Sequence, residues 1–164
     1  KNPPDNFNGR RLGILVSNGV DAKLLDAVKK AAQDESMTVD LVAATRMGIT
    51  DSNGADLEVA EKIDGGPSVL FDAIAVLVDA DGATELAAMP PAKDFVSDAH
   101  AHGKFVAHHA ASAPLFEAAG LDSADAPGYV EIKGTKKSAK QFLSDCSALR
   151  CWDRQKTSGD PHQD

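Results

Sequence analysis

The fold of this chain is decided by Gly13-Ile14-Leu15-Val16-Ser17-Asn18-Gly19-Val20-Asp21, an apolar run that ends in a glycine turn and an acid. A second stretch of the same kind is Gly103-Lys104-Phe105-Val106-Ala107-His108-His109-Ala110-Ala111. Each stretch predicts a buried strand that turns sharply into a helix. Strands that alternate with helices indicate an α/β fold with a mostly parallel sheet covered on both faces. In such folds, ligands bind and chemistry occurs at the carboxyl ends of the strands.

The rest of the chain continues this alternation. Apolar runs predict strands at 12–17, 38–44, 71–78, 105–108 and 129–132, and an Asn53-Gly54 dipeptide predicts a hairpin. Helical spacing predicts helices at 20–32, 92–101 and 137–152, and a further helix that ends at Gly120. Residues 79–82 are expected to form a loop. Together these elements predict a flavodoxin-like three-layer sandwich with a mainly parallel central sheet.

Composition limits the classes of function. The chain has 164 residues, of which 43% are hydrophobic, and its formal net charge is −8. This charge argues against nucleic acid or an anionic membrane as a partner, and no apolar run approaches the roughly 20 residues of a membrane span. We expect a Pro-containing linker at 1–10 that leads from an upstream core, one domain at 11–156 and a flexible tail at 157–164.

The strand ends carry the candidate site residues. We expect Asp21 and His109 to follow neighbouring strands, with Asp79 near the same edge. Asp21 either caps the first helix or bonds a group at the second turn. His108 and His109 are adjacent on a strand and point to opposite faces, so they cannot easily hold one metal ion, and one of them is expected to be a buried polar group. His100 and His102 are expected at the surface.

The second turn lacks a reactive side chain. A strand-to-helix elbow is the usual position of a Ser or Cys nucleophile, and this elbow presents His-His-Ala-Ala instead. The first turn is short and acidic, which disfavours a flavin phosphate site. A phosphoacceptor receiver is also disfavoured, because the acid is single and Lys104 precedes its strand. We therefore predict no catalytic residue, no cofactor and no metal site in this domain.

In order and sequence, these motifs resemble the DJ-1/PfpI superfamily, which is related to class I glutamine amidotransferases. The resemblance lies in the first strand with its Asn-Gly-Val-Asp turn, the Asn53-Gly54 hairpin, the strand from Phe71, the elbow, and Glu117-Ala118-Ala119-Gly120-Leu121. Active members carry Glu after the first strand and Cys at the elbow. Asp21 and Ala110 stand at those positions here, so the resemblance implies a vestigial elbow site formed by Asp21, His108, His109 and Ala110.

A more specific resemblance is to the C-terminal domain of large-subunit haem catalases, which is DJ-1-like and lacks the elbow Cys. It rests on the opening Lys1-Asn2-Pro3-Pro4, on Gly9-Arg10-Arg11-Leu12-Gly13-Ile14-Leu15 and on Ala148-Leu149-Arg150-Cys151-Trp152-Asp153-Arg154. The resemblance implies a non-catalytic accessory domain whose parent decomposes hydrogen peroxide with a haem held in the upstream core.

The partners implied are the parent catalase core with its tetramer, and unfolded client proteins if the domain is a holding chaperone, as some DJ-1 relatives are. The alternative is a weak DJ-1-like enzyme that uses Asp21 and His109 on a small carbonyl or amide substrate. The missing thiol at Ala110 discriminates between these two classes.

Overall fold

The computed structural model of the protein describes residues 10–45, 49–64, 68–121, 127–133 and 136–146. Most of the expected linker, the expected tail and the last residues of the predicted final helix lie outside these ranges. Among the described residues, no helix is both long enough and apolar enough to cross a membrane.

The described chain forms one six-stranded sheet in which every strand pair is parallel. The strands lie in the order β3-β2-β1-β4-β5-β6. Their bounds are β1 Arg11–Leu15, β2 Thr38–Ala43, β3 Glu61–Lys62, β4 Ala73–Val76, β5 Val106–His108 and β6 Tyr129–Glu131. Without the two-residue edge strand β3, which was not predicted, this is the flavodoxin-like order. The predicted fold class is confirmed.

Helices cover both faces of the sheet. They are α1 Ala22–Asp34, α2 Ala80–Ala87, α3 Pro90–Ala101, α4 Ala113–Ala118 and α5 Lys136–Cys146. Leu24 of α1 and Phe142 of α5 share one core cluster, whereas Leu86 of α2, Phe95 of α3 and Phe116 of α4 belong to the other. Because side chains alternate along a strand, β1, β2, β4 and β5 each contribute side chains to both clusters. The result is the predicted three-layer sandwich.

Two helix starts differ from the sequence prediction. Residues 79–82 are not a loop, because Asp79 caps α2 and its Oδ1 accepts a hydrogen bond of 2.7 Å from the Gly82 amide. Gly82 has a low helix propensity, so the sequence did not predict this helix. Helix α3 begins at Pro90 rather than at residue 92, since prolines are tolerated in the first turn, where their missing N–H has no intrahelical partner.

The predicted hairpin is confirmed as a short antiparallel bridge between Thr50 and Asp56. Its turn closes with a bond of 3.0 Å from the Gly54 amide to the Asp51 carbonyl, and Gly54 has φ of 81°. The hairpin also supports the start of α1, because Ser52 Oγ accepts a hydrogen bond of 2.9 Å from the Ala22 amide.

Gly13 in β1 allows a close approach of Phe71. A Cβ atom at Gly13 would lie 2.5 Å from Cδ2 of Phe71, a distance that real Cβ contacts do not show. The Phe71 ring is buried, lies 6.3 Å from the Phe95 ring in an edge-on arrangement, and carries the Arg11 guanidinium 5.1 Å from its centroid. The missing side chain in β1 therefore sets the position of the chain just before β4.

Candidate functional site

The carboxyl ends of the strands meet at one edge of the sheet, where Asp21, Asp79 and His109 follow β1, β4 and β5. The sheet order places β4 between β1 and β5. The prediction that Asp21 and His109 follow neighbouring strands is therefore wrong. The chain crosses from β3 to β4 directly beside β1 and adds β5 on the far side, so Asp79 lies on the strand between them.

Asp21 is the N-cap of α1. Its Oδ1 accepts hydrogen bonds from the amides of Lys23 at 2.9 Å and Leu24 at 3.1 Å. These amides belong to the first turn of the helix, where N–H groups have no intrahelical partner. Of the two roles considered for Asp21, the structure shows the capping role. The carboxylate is exposed and is directed to its own helix.

The two adjacent histidines have different surroundings, as the strand geometry predicts. The His108 ring is buried and packs against the rings of Phe116 and Tyr129, with centroid distances of 5.8 and 6.1 Å. His109 is half-buried, and its amide donates a bond of 3.0 Å to the Val76 carbonyl at the end of β4. The pair does not converge on one point.

His100 and His102, at the end of α3, differ in their exposure to solvent. His102 is exposed, as expected, but His100 is half-buried. Its Nδ1 lies 2.8 Å from the Tyr129 hydroxyl, within hydrogen-bond distance. The expectation that both lie at the surface is wrong for His100, because β6 brings Tyr129 against the end of α3.

The elbow after β5 has a relaxed backbone. His109 is extended, with φ of −92° and ψ of 146°, and a 3₁₀ turn at Ala110–Ser112 leads into α4. Within the described chain, the non-glycine residue with positive φ is Ser36, far from this turn. Elbows that present a nucleophile are sharp and strained. Ala110 therefore lacks both the reactive atom and the backbone conformation of such a site.

Ser112 is the hydroxyl nearest to the elbow in sequence, and it has a structural role. Its side chain is buried, and its Oγ donates to the carbonyl oxygen of His109. The amide of Ser112 donates to the same carbonyl at 2.9 Å. Both bonds close the 3₁₀ turn.

A cleft of about 300 Å³ lies between the carboxyl ends of β1 and β2 and the helix α2. Its wall contains the carboxylates of Asp79, Asp81 and Glu85. Asp79 was predicted at this edge from the sequence, whereas Asp81 and Glu85 were not, because residues 79–82 were expected to be a loop. Their spacing of four residues, which places two side chains on one face of a helix, was the available signal.

The cleft lies beside the point where the strand order reverses, between β1 and β4. Ligands of open α/β sheets usually bind at this position. Here the position is closely packed, because a Cβ at Gly82 would lie only 2.0 Å from Ser17 Oγ. The main chain of α2 therefore packs directly against the turn after β1.

Within the described residues, no group of three or more His, Cys, Asp or Glu side chains could hold a metal ion. The expectation that this domain has no metal or cofactor site stays a prediction.

Comparison with known proteins identifies the family. Residues 8–156 match the family described as the C-terminal domain found in long catalases. The chain belongs to this family. Catalase C of Rhizobium meliloti is 40% identical to this catalase C-terminal domain over 152 residues, which cover 93% of the chain and 21% of that protein. Catalase HPII of Pseudomonas putida is 30% identical over 91% of the chain and 20% of its own length. The domain thus spans about a fifth of the length of these relatives.

Solved structures show the same fold at low sequence identity. The VC2308 protein aligns with a TM-score of 0.68 and 15% identity over 82% of each chain. A two-domain protein from Anabaena variabilis, containing DJ-1/ThiJ/PfpI-like and ferritin-like domains, aligns with a TM-score of 0.63 and 15% identity over 68% of this chain and 32% of its own. The resemblance to catalase C-terminal domains is confirmed, and the fold is shared with a protein that contains a DJ-1/ThiJ/PfpI-like domain.

Proposed function

We propose that this catalase C-terminal domain is a non-catalytic accessory domain that stabilises a parent haem catalase, whose upstream core decomposes hydrogen peroxide. The observation that carries the proposal is the elbow at Ala110. Covalent acyl or hemithioacetal chemistry needs an activated nucleophile at such a turn. The elbow offers a methyl group on a relaxed backbone, and the nearest hydroxyl closes the turn.

The haem belongs, in this proposal, to the core that precedes the domain. Haem iron is held by side chains such as His or Tyr beside an open pocket. In the described residues, the buried His108 packs against two aromatic rings, and the Tyr129 hydroxyl lies within hydrogen-bond distance of His100. These side chains pack within the domain and do not fit the role of a ligand to haem iron.

The closed core of the domain supports the proposed stabilising role. Two clusters of buried side chains fill the sandwich on either side of the sheet. A unit of this kind folds cooperatively. Any contact that it makes only with the folded core shifts the unfolding equilibrium of the parent toward the native state. The partners proposed are therefore the parent catalase core and its tetramer.

The alternative enzyme is poorly supported by the geometry. It requires Asp21 and His109 to act on one small substrate. Asp21 binds two amides of its own helix, and the strand β4 lies between the strands that precede the two residues. Asp21 and His109 are therefore not assembled as a catalytic pair at the elbow.

The chemical part of the proposal is tested on the purified chain. We expect no haem binding, no peroxide decomposition, no methylglyoxal turnover and no peptide hydrolysis. Turnover that disappears in Asp21→Asn would contradict the proposal. In the parent catalase, removal of the domain is expected to leave the rate of peroxide decomposition per haem unchanged. A tenfold fall in that rate would place the domain in the catalytic machinery.

A holding-chaperone role is the second proposed function. Such a role needs exposed apolar surface, and in the described part of the chain the large apolar side chains that are exposed are Val69 and Leu70. This surface is small, so the stabilising role ranks first. A thermolabile enzyme is heated with an equimolar amount of the domain, with serum albumin as the control, and light scattering is followed. Protection no better than that of albumin removes the chaperone role.

A further inference from the structure

The two exposed apolar side chains lie at the amino edge of the sheet, opposite the elbow. Val69 is 65% exposed and Leu70 is 38% exposed, and they are adjacent in the 3₁₀ turn Ser68–Leu70. We call these two side chains the Val69–Leu70 patch. Single exposed apolar residues need no explanation, but these two are neighbours in one turn and form a contiguous apolar surface.

Hydrogen bonds and packing fix the position of the Ser68–Leu70 turn. The buried ammonium group of Lys104 donates a hydrogen bond of 2.6 Å to the carbonyl of Ser68, and the Phe71 amide bonds the same carbonyl at 3.0 Å. Directly after the patch, the Phe71 ring is fixed against Gly13 and Phe95. The two apolar side chains therefore project from a rigid support, which lowers the entropic cost of docking.

The patch also lies where the chain enters the domain. The Arg11 amide donates to Asp72 Oδ2 at 2.8 Å, and the Asp72 amide donates to the Arg11 carbonyl at 2.8 Å. Leu70 is two residues before Asp72. The first strand therefore begins beside the Val69–Leu70 patch, at the amino edge of the sheet.

We propose that the Val69–Leu70 patch is the contact through which the domain packs on the preceding part of its own parent chain. This inference rests on the proposed function. The matched catalases are about five times longer than this domain, and their C-terminal domain follows the rest of the chain. The occupant is thus an apolar surface of the catalase core, and contacts between domains of one chain are often small.

The test compares the parent catalase with the isolated chain. Hydrogen exchange is measured for a peptide covering residues 68–72, and exchange in the parent is expected to be at least about tenfold slower than in the isolated chain. The double variant Val69→Ser/Leu70→Ser is expected to remove this protection and to speed heat inactivation of the parent. Equal exchange of the wild-type peptide in both contexts would overturn the inference.

A matched control is available on α1. The double variant Asp26→Ser/Lys30→Ser removes an exposed ion pair without changing the net charge, and it is expected to leave the protection at 68–72 intact. The patch variant in the isolated chain is expected to melt within about 2 °C of wild type, since surface changes have small effects. A larger loss would show that the patch supports the fold instead of a partner.

The outcomes separate the inference from the proposed function. Removal of the whole domain can leave the parent's heat stability unchanged while residues 68–72 are protected in the intact parent. In that case the stabilising function fails and the docking surface stands. If the domain stabilises the parent but the patch variant keeps full protection and heat stability, the surface is wrong. Sedimentation of the isolated chain as a dimer that the patch variant dissociates would assign the patch to a second copy and overturn the inference.

Discussion

Replacing Gly13 with alanine tests the contact that fixes the chain before β4. The added Cβ would lie 2.5 Å from Cδ2 of Phe71 and 2.7 Å from its Cε2 and Cγ, where normal carbon contacts are about 3.5–4.0 Å. The backbone cannot move away easily, because Gly13 is paired with Asp40 on one side and Ile74 on the other. The ring must shift by about 1 Å within a packed core.

The expected cost follows from two opposing terms. Overpacking of a close-packed core costs about 3 kcal/mol at the upper end of its usual range. Replacing Gly by Ala lowers the conformational entropy of the unfolded chain, which stabilises the folded state by about 0.5–1 kcal/mol. The net destabilisation of Gly13→Ala is therefore about 2 kcal/mol, which corresponds to a fall in melting temperature of about 4–8 °C for a domain of this size.

A double-mutant cycle checks the cause by urea unfolding followed with far-UV circular dichroism. Phe71→Leu opens space for the new methyl group, so the double variant is expected to lose at least about 1 kcal/mol less than the sum of the two single variants. As a control, Gly54→Ala is strained by its φ of 81° and meets no atom, so Phe71→Leu should not rescue it. Additive costs for Gly13→Ala and Phe71→Leu would refute the clash.

Three further variants have defined outcomes. Asp21→Ala removes the α1 cap and is expected to lower the free energy of unfolding by about 1 kcal/mol, whereas Asp21→Asn keeps most of it; equal losses in a urea titration would contradict the capping role. Ala110→Cys is expected to give a thiol that reacts with an aromatic disulfide reagent but no methylglyoxal turnover, because the elbow backbone is relaxed; turnover above wild type would show a latent site. Gly82→Ala is expected to destabilise the chain in thermal melts and to be partly rescued by Ser17→Gly, since the new Cβ meets both Oγ and Cβ of Ser17; a wild-type melting temperature would exclude the clash.

The sequence predicted the parallel sheet and the described helices other than α2, because these depend on local patterns. Continuous apolar runs such as Leu12–Val16 predict buried strands, and their alternation with helical spacing predicts a parallel sheet. The N-cap role of Asp21 was likewise available from its place before a helix. The identities of His109 and Ala110 at the elbow predict, from the sequence alone, that no covalent catalysis occurs there.

The remaining features depend on tertiary packing and could not be predicted in the same way. Helix α2 was missed because Gly82 disfavours a helix, and only the contact with Ser17 explains the glycine. The place of β4 between β1 and β5 is a matter of strand order, which local patterns do not encode. The half-buried position of His100 follows from Tyr129 on a strand 29 residues later.

The central claim is that this domain supplies stability and no chemistry to its parent. The most direct test is the rate at which the parent catalase loses its peroxide-decomposing activity at elevated temperature, measured with and without residues 1–164 at equal haem content. We predict equal initial activity per haem and a markedly faster loss on heating when the domain is absent. Identical inactivation rates with and without the domain would contradict the claim.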